Sequence, residues 1–489
     1  MKLTDLDAHA LSELIHTRQA SCREVMSAFL ARIDALNPRA NAIVNLAPAE
    51  RLLQQADARD AQLARGESMG WLHGIPQAIK DTGQALGFPT TFGSPLLAQA
   101  LPAVDSLYVQ RMKAAGCIVI GKTNMPEFGL GSNTYNPLFG RTPNAWDETV
   151  TCGGSSGGAA VALALRMLPL ADGSDFMGSL RNPAAWSHVI GLRPSQGRVP
   201  GWPRPELFVS QLATDGPMGR SVRDVARLLS TQAGFDARAP LSLHEAARDF
   251  VPPADASLRG LRIGWLADLG GHLAMEDGIL DVCAAALRRM EGDGALVEPT
   301  TLDFDLDALW QAWLLWRRAL VAPGVAAALA QPGATRAQVK PEALWELDQA
   351  GGLSNADFMQ AAALRSRYYE HMRALFTRFD LLALPVTQCW PFPLEQAWPR
   401  TLGGRAMQTY HQWMEVTLYA TFAGLPAISL PAGFHANGRW PCGLQLIGPP
   451  QGDAQLLHAA QGYENLAASL LARRPPEPAP AAFHGSEQA

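Results

Sequence analysis

Residues 151–165 read TCGGSSGGAAVALAL, with Ser155 and Ser156 held between two glycine pairs and followed by an apolar run of helical length. A backbone this bare permits tight turns and close approach of other chain segments. One explanation is a glycine-rich turn whose serines cap the next helix. Another is chemical. Gly153, Ser155 and Gly157 satisfy GxSxG, the nucleophile turn of α/β-hydrolases, which needs a strand before it and a helix after it. The helix is present, but the preceding NAWDETVTC (144–152) is polar and loop-like. Taken alone, the segment leaves both explanations open.

The rest of the chain narrows the choice. With 489 residues, 48% of them hydrophobic, the protein can bury a large core. The longest apolar stretch noted, AAVALALRMLPLA, is interrupted by Arg166. It is shorter than the roughly 20 residues a membrane span requires, so no transmembrane helix is expected. The N-terminal MKLTDLDAHALSEL has acids where a secretory signal has an apolar core, and a cytoplasmic location is expected. A net charge of −5 without a Lys/Arg run argues against nucleic acid or membrane as partner and for a small molecule. Six scattered cysteines, with no CxxC and no paired histidine spacing, give neither a zinc site nor a disulfide framework. No cofactor or metal is expected.

SCREVMSAFLARIDALNP (21–38) opens with a capping box at Ser21 and Glu24 and sets Val25, Phe29, Ile33 and Leu36 on one face. It predicts the second member of a helix pair over 5–36. Apolar β-rich runs at 117–121, 261–266, 381–386, 427–434 and 443–448 alternate with helix-compatible segments such as 221–232 and 277–291. The fold class predicted is α/β, a single large domain whose mixed central sheet is flanked by helices. Gly116, Gly121, Lys122 and Thr123 match the spacing of a phosphate-binding loop. The intervening CIVI reads as a buried strand, and Pro126 interrupts the helix that should follow, so the match is assigned to chance.

Three segments together carry a stronger signal: LHGIPQAIKD (72–81), GGSSGG (153–158) and SDFMGSLRNPAAW (174–186). With GKTNMPEFG (121–129), NPLFGRTPN (136–144), GLRPSQGRVP (191–200) and AGLPAISLPAGF (423–434), the chain resembles the amidase signature family of serine hydrolases along most of its length. The resemblance implies one domain over 1–474. Its parts are the N-terminal helix pair, a motif-bearing core at 70–200 and a helix-rich variable region at about 300–415 that shapes the substrate pocket. The tail 475–489, rich in Pro, Ala and polar residues, is expected to be disordered.

Carried over by position, the resemblance assigns the base to Lys80, the proton relay to Ser155 after a cis Gly154–Ser155 bond, and the nucleophile to Ser179. It places the oxyanion hole on the backbone amides of Phe176, Met177, Gly178 and Ser179. Ser156, Asp175 and Arg181 support the site, and Gly129, Leu130 and Gly131, with Met177, border the substrate. The chemistry is coherent on its own terms. A serine hydroxyl needs a base, and a neutral lysine serves if burial lowers its pKa to about 7 to 8. Arginine could not deprotonate. Only five of the 40 basic residues are lysines, and Lys80 follows the apolar GIPQAI.

Four positions depart from the family pattern: SDFMGS stands where TDxGGS is usual, with Ser174 for the threonine and Met177 for the first glycine, Arg193 replaces a lysine, and Ala145 replaces a proline. Met177 would be strained if its position required φ > 0, and its bulk would narrow the acyl pocket. Seven of the 13 tryptophans fall between 310 and 413, which points to an apolar or aryl amide, although Trp310, Trp313 and Trp316 recur at the spacing of an ordinary core stripe. His188 and His411 are assigned structural roles. The expected partner is a small-molecule amide, and the oligomeric state is left open, a homodimer being one option. Two alternatives stand beside the amidase: a glutaminase-type component of a tRNA-dependent amidotransferase, and a non-catalytic binding protein on the same fold.

Overall fold

The computed structural model describes residues 2–245 and 248–476. The tail expectation therefore lies, from residue 477 onward, outside the described residues. Two sheets organise the chain. The smaller has strands β1 (Ile43–Val44), β2 (Pro76–Lys80) and β3 (Ile118–Thr123), with β3 central, antiparallel to β1 and parallel to β2. The residues that mimic a phosphate loop are thus a fully buried strand, as CIVI implied.

The main sheet has eight strands: β4 (Ala171–Asp175), β5 (Ile190–Arg193), β6 (Thr214–Gly219), β7 (Arg262–Trp265), β8 (Leu296–Pro299), β9 (Leu381–Pro385), β10 (Ala427–Phe434) and β11 (Pro441–Ile447). Their order is β8-β7-β9-β11-β10-β5-β6-β4. Only the β8–β7–β9 end is parallel, so the sheet is mixed. The apolar runs that announce β7, β9, β10 and β11 become strands within a few residues of the expected limits. Nothing local announces β4, because ADGSD has none of the β-branched or aromatic residues that mark a strand.

Helices cover both sheets. α1 (Ala8–His16) and α2 (Cys22–Ala40) form the N-terminal pair, and the Ser21/Glu24 capping box is present at the start of α2. α3 (Gly157–Ala164) is wholly buried, and α4 (Arg181–Ser187) packs against the β10–β11 side of the sheet. A helical layer of α5 (Leu306–Leu329), α6 (Pro341–Gln349) and α7 (Asn355–Leu375) lies over a second, aromatic-rich core. Trp310, Trp313 and Trp316 of α5 are all buried there, the core use that their spacing allowed. By length and composition alone α5, which lies outside the apolar stretch AAVALALRMLPLA considered from sequence, is long and apolar enough to cross a membrane. In this fold it carries a buried Arg317–Glu346 ion pair to α6, and α6 and α7 pack along it.

Two glycines explain how α3 is seated. A Cβ at Gly158 would lie 2.4 Å from the Asn124 amide nitrogen and 2.5 Å from the Ala42 carbonyl, both backbone atoms. At Gly157 it would lie 2.1 Å from Thr134 Oγ1. The first turn of α3 therefore sits directly on neighbouring main chain, which holds Ser155 at a set depth. Gly158→Ala should destabilise the fold by about 1–3 kcal/mol through overpacking. A lowered thermal midpoint in calorimetry is the expected reading, and an unchanged midpoint would show that the backbone relaxes freely here.

Candidate active site

Lys80 ends β2 where the small sheet meets edge strand β4. Its N–H donates to Asp172 Oδ2 at 3.1 Å, and the same carboxylate accepts from Tyr108 Oη at 3.1 Å and Gln77 Nε2 at 3.2 Å. The side chain is completely buried. Its Nζ lies 2.7 Å from Ser155 Oγ, 2.9 Å from Ser156 Oγ, 3.0 Å from Ser174 Oγ and 3.1 Å from the Ser174 carbonyl. Burial pushes its pKa down to about 7, against the opposing pull of Asp215, Asp175 and Asp172.

That shell suits a neutral amine. An ammonium offers three N–H bonds to four oxygens, whereas an amine has two N–H bonds and a lone pair that accepts a hydroxyl proton. The Ser174 carbonyl can only accept, so one amine N–H points to it. Ser155, the closest oxygen, is then the natural donor to the lone pair.

The glycine-rich turn supplies Ser155 and Ser156. Gly153 has φ +77°, and a Cβ there would press on Trp186 at 3.0 Å. The Gly154–Ser155 peptide bond is cis. Ser156 occupies the position preceding α3, yet its side chain makes no capping hydrogen bond and faces Lys80 instead. The helix-capping explanation of the paired serines fails on this contact. No strand precedes the turn, where residues 143, 150 and 151 form only isolated bridges, so the α/β-hydrolase elbow fails too.

Ser179 lies in the turn between β4 and α4. The Ser156 N–H donates to the Ser179 carbonyl at 3.1 Å, which sets the two serine turns side by side. The turn is organised by Asp175, whose carboxylate accepts from Gly178 N at 2.8 Å, Leu180 N at 3.2 Å, Arg181 Nε and Nη2 at 3.0 Å each, and Arg193 Nη1 at 3.3 Å. The Arg181 and Arg193 guanidiniums hold this carboxyl well below the usual carboxylate range despite its burial. Arg181 is tied further to Thr417 O and Thr421 Oγ1, at 3.1 and 2.8 Å. Arg193, in the family's lysine position, keeps a cation on Asp175 and also donates to Leu212 O at 2.9 Å.

The geometry revises the expected oxyanion donors. The Gly178 N–H, counted among them on the resemblance, already serves Asp175. The amides of Phe176, Met177 and Ser179 have no hydrogen-bond acceptor among the described residues. The left-handed position of the turn is Gly178 (φ +88°), where a Cβ would meet Thr417 Oγ1 at 2.7 Å; Met177 is outside the left-handed region. The strain considered for Met177 is therefore absent. Its side chain is buried in the aromatic core that also holds Trp186, Trp413 and Met414.

The loop bordering the site is anchored from the helical layer. A Cβ at Gly129 (φ +75°) would lie 3.5 Å from Ser155 Oγ, so this position faces the site. Leu130 turns its side chain away, into a cluster with Val325, Val339 and Tyr410, while its carbonyl accepts from Lys340 Nζ at 3.1 Å. Gly131 sits beside Lys340 and Tyr410. His411 is fully buried and stacks on Tyr410, and His188 donates from Nε2 to the Leu470 carbonyl at 2.9 Å. Neither touches the Lys80 shell.

Sequence reasoning misses Asp172 as a group of the site and notes Ser174 only as a departure. Strand alternation is the available signal: 172 and 174 lie on the same face of β4, two residues apart, and both meet Lys80. Lys340 has no local signal at all.

A family model described as Amidase matches residues 24–457. An acylamidase of Rhodococcus erythropolis is 34% identical over 465 residues, covering 94% of this chain and 95% of that protein. A glutamyl-tRNA(Gln) amidotransferase subunit from Moorella thermoacetica is 35% identical over 502 residues, covering 98% and 99%. Among solved structures, a bacterial aryl acylamidase belonging to the amidase signature enzymes superposes with a TM-score of 0.89 at 31% identity, covering 95% of this chain and 97% of that one.

The depressed pKa of Lys80 has a consequence for stability. Between about 7 and its ordinary 10.5, the unfolded chain holds a proton on Lys80 that the native state lacks. Stability from this group therefore rises with pH across that window, at up to about 1.4 kcal/mol per pH unit. Denaturant unfolding of the wild type and Lys80→Met at pH 7, 8 and 9 should show their difference shifting in favour of the wild type. A difference that is flat or shifts the other way would contradict a neutral native Lys80.

Proposed function

Since the chain belongs to the amidase family, and is thus an amide hydrolase acting on C–N bonds, we propose that it forms an acyl-enzyme on Ser179, with Ser155 as proton relay and Lys80 as base. The observation that carries this reading is the buried Lys80 Nζ, 2.7 Å from Ser155 Oγ and with its pKa near neutrality.

In the proposed cycle Ser155 passes its proton to the Lys80 lone pair as it takes the proton of Ser179. Ser179 Oγ attacks the amide carbonyl. The oxygen of the tetrahedral intermediate is held by the free amides of the 176–179 turn, aided by the cations gathered around Asp175. The proton then returns through Ser155 to the departing nitrogen, which leaves as an amine. Water hydrolyses the acyl-enzyme by the same route, and free acid is released.

For the substrate we propose an apolar or aryl amide. Phe176, in the oxyanion turn, packs its ring against Trp313 at 5.4 Å and lies under the Arg317 guanidinium at 5.4 Å, so an aromatic surface adjoins the nucleophile. The likeness to an aryl acylamidase agrees with this. The amidotransferase relative favours a second reading, glutamine as the amide within a larger assembly. Turnover of an aryl amide by the purified chain alone, with glutamine untouched, would decide for the first.

Ser179→Ala should abolish both turnover and labelling by a fluorophosphonate. Ser155→Ala should retain slow cleavage of activated esters while losing amides more severely, because good leaving groups need less protonation. A label on Ser155 instead of Ser179 would overturn the assignment.

The kcat for an amide should rise with pH through about 7, as Lys80 becomes neutral, and then level off. Lys80→Arg, which stays protonated, should be inactive throughout. Near-normal rates in that variant would remove Lys80 from the mechanism.

Met177→Gly, which removes far more than a methylene, should change the ratio of kcat/KM for a large and a small acyl amide at least severalfold if the side chain reaches the acyl group, because even one methylene in an apolar pocket alters discrimination by about 1–3 kcal/mol. Because the Met177 side chain fills the core beneath the turn, an unchanged ratio together with a lowered thermal midpoint would assign it to packing alone.

A further inference from the structure

A cavity of about 460 Å³ opens between α7, the 422–425 turn and residues 195–196. Trp313 links the cavity wall to the 176–179 turn, touching Phe422 (5.7 Å) and Phe176 (5.4 Å). Arg365 of α7 lines the cavity, half-buried, with its guanidinium over the rings of Trp316 at 4.8 Å and Phe422 at 5.5 Å. Its Nε donates to the Phe422 carbonyl at 2.8 Å, Nη1 to Gln211 Oε1 at 3.4 Å and Nη2 to Gln196 Oε1 at 3.2 Å.

Every one of those acceptors is neutral. Among the described residues Arg365 has no carboxylate within ion-pair distance, and two of its five N–H groups are left over. The acid lining the cavity, Glu370, is exposed and pairs with Arg373 at 2.9 Å. Stacking and a carbonyl contact would explain an arginine used as a strut, but they leave its charge uncompensated in a partly desolvated place.

We propose that this cavity is a small-anion site, in which the free edge of the Arg365 guanidinium takes a carboxylate or phosphate group in a forked pair of charge-assisted hydrogen bonds. The planar fork matches two oxygens of either anion. Gln196 Nε2 and Tyr369 Oη, which have no partners of their own among the described residues, line the same cavity and can donate to the anion's remaining oxygens. Burial lowers the pKa of Arg365 only to about 10, so it remains a cation at neutral pH.

The test is isothermal titration of the full chain with inorganic phosphate and, separately, with acetate, at constant ionic strength. Saturable binding of one or both is expected in the wild type, and the stronger of the two identifies the class of oxyanion. Arg365→Met should weaken it by about ten-fold or more, the worth of a charge-assisted hydrogen bond. A second variant guards against simple misfolding. Ala362→Glu sets a carboxylate three residues before Arg365 on the same helix face and on the cavity wall. It leaves the Arg365 packing in place but supplies a built-in counterion, so it should suppress binding while keeping or raising the thermal midpoint. Absence of saturable heat in the wild type, or wild-type affinity in Ala362→Glu, would overturn the proposal. The titrations require no turnover, so their outcome is independent of the reaction assigned to Ser179.

Discussion

Bringing the Lys80 amine out of water governs much of the surrounding architecture. A buried ammonium is costly unless it is paired, and the lysine has no carboxylate in contact with its Nζ, only three hydroxyls and one carbonyl. Three of its four neighbours are hydroxyls, which can both give and take a proton, and the group as a whole is assembled from three separate segments. β2 brings the lysine, edge strand β4 brings Ser174, and the glycine-rich turn brings Ser155 and Ser156. Because β4 is the last strand of the main sheet, its outer face is open to the small sheet. The junction of the two sheets is thus where a base can be dehydrated and still surrounded.

A second buried charge works by the opposite rule. Asp175 remains ionised because two arginines and two backbone amides share its oxygens. Replacing a buried pair by apolar residues often costs little, whereas removing one partner leaves an uncompensated charge. The network around Asp175 is therefore best understood through what it positions. It folds the 176–180 turn so that some amides are consumed in holding the turn and others are left without an acceptor among the described residues. Gly178 belongs to the first group, and Met177 and Ser179 to the second.

The helical layer reaches the catalytic region through a few long-range contacts. Lys340 holds the Leu130 carbonyl and Arg317 covers Phe176, one from each side of the site. These contacts join residues about 140 to 210 positions apart. They tie the position of the helical layer to the 129–131 loop and to the 176–179 turn. A scaffold of this kind can change its substrate preference by altering α5 and α6 while leaving Lys80, Ser155 and Ser179 alone.

Much is legible along the chain. The α/β class, four strands of the main sheet, the capping box of α2 and the motif segments at 72–81, 153–158 and 174–186 all rest on local patterns: apolar runs, helical spacing, glycine where backbones touch. Local patterns fail for β4, whose ADGSD becomes a strand because β6 pairs with it and because the small sheet covers its face, not through any propensity of its own. They fail in the same way for Asp172, Ser174 and Lys340, polar residues whose significance lies entirely in what folding places opposite them. The order of residues establishes which groups are available for chemistry and where the backbone must be bare. Their state is a product of packing: Lys80 is dry enough to lose its proton, Ser156 faces the lysine and does not cap its helix, and the amide of Gly178 is spent on Asp175. Protonation and hydrogen-bond allegiance depend on desolvation and on competing partners, and both are set by segments far apart in the chain.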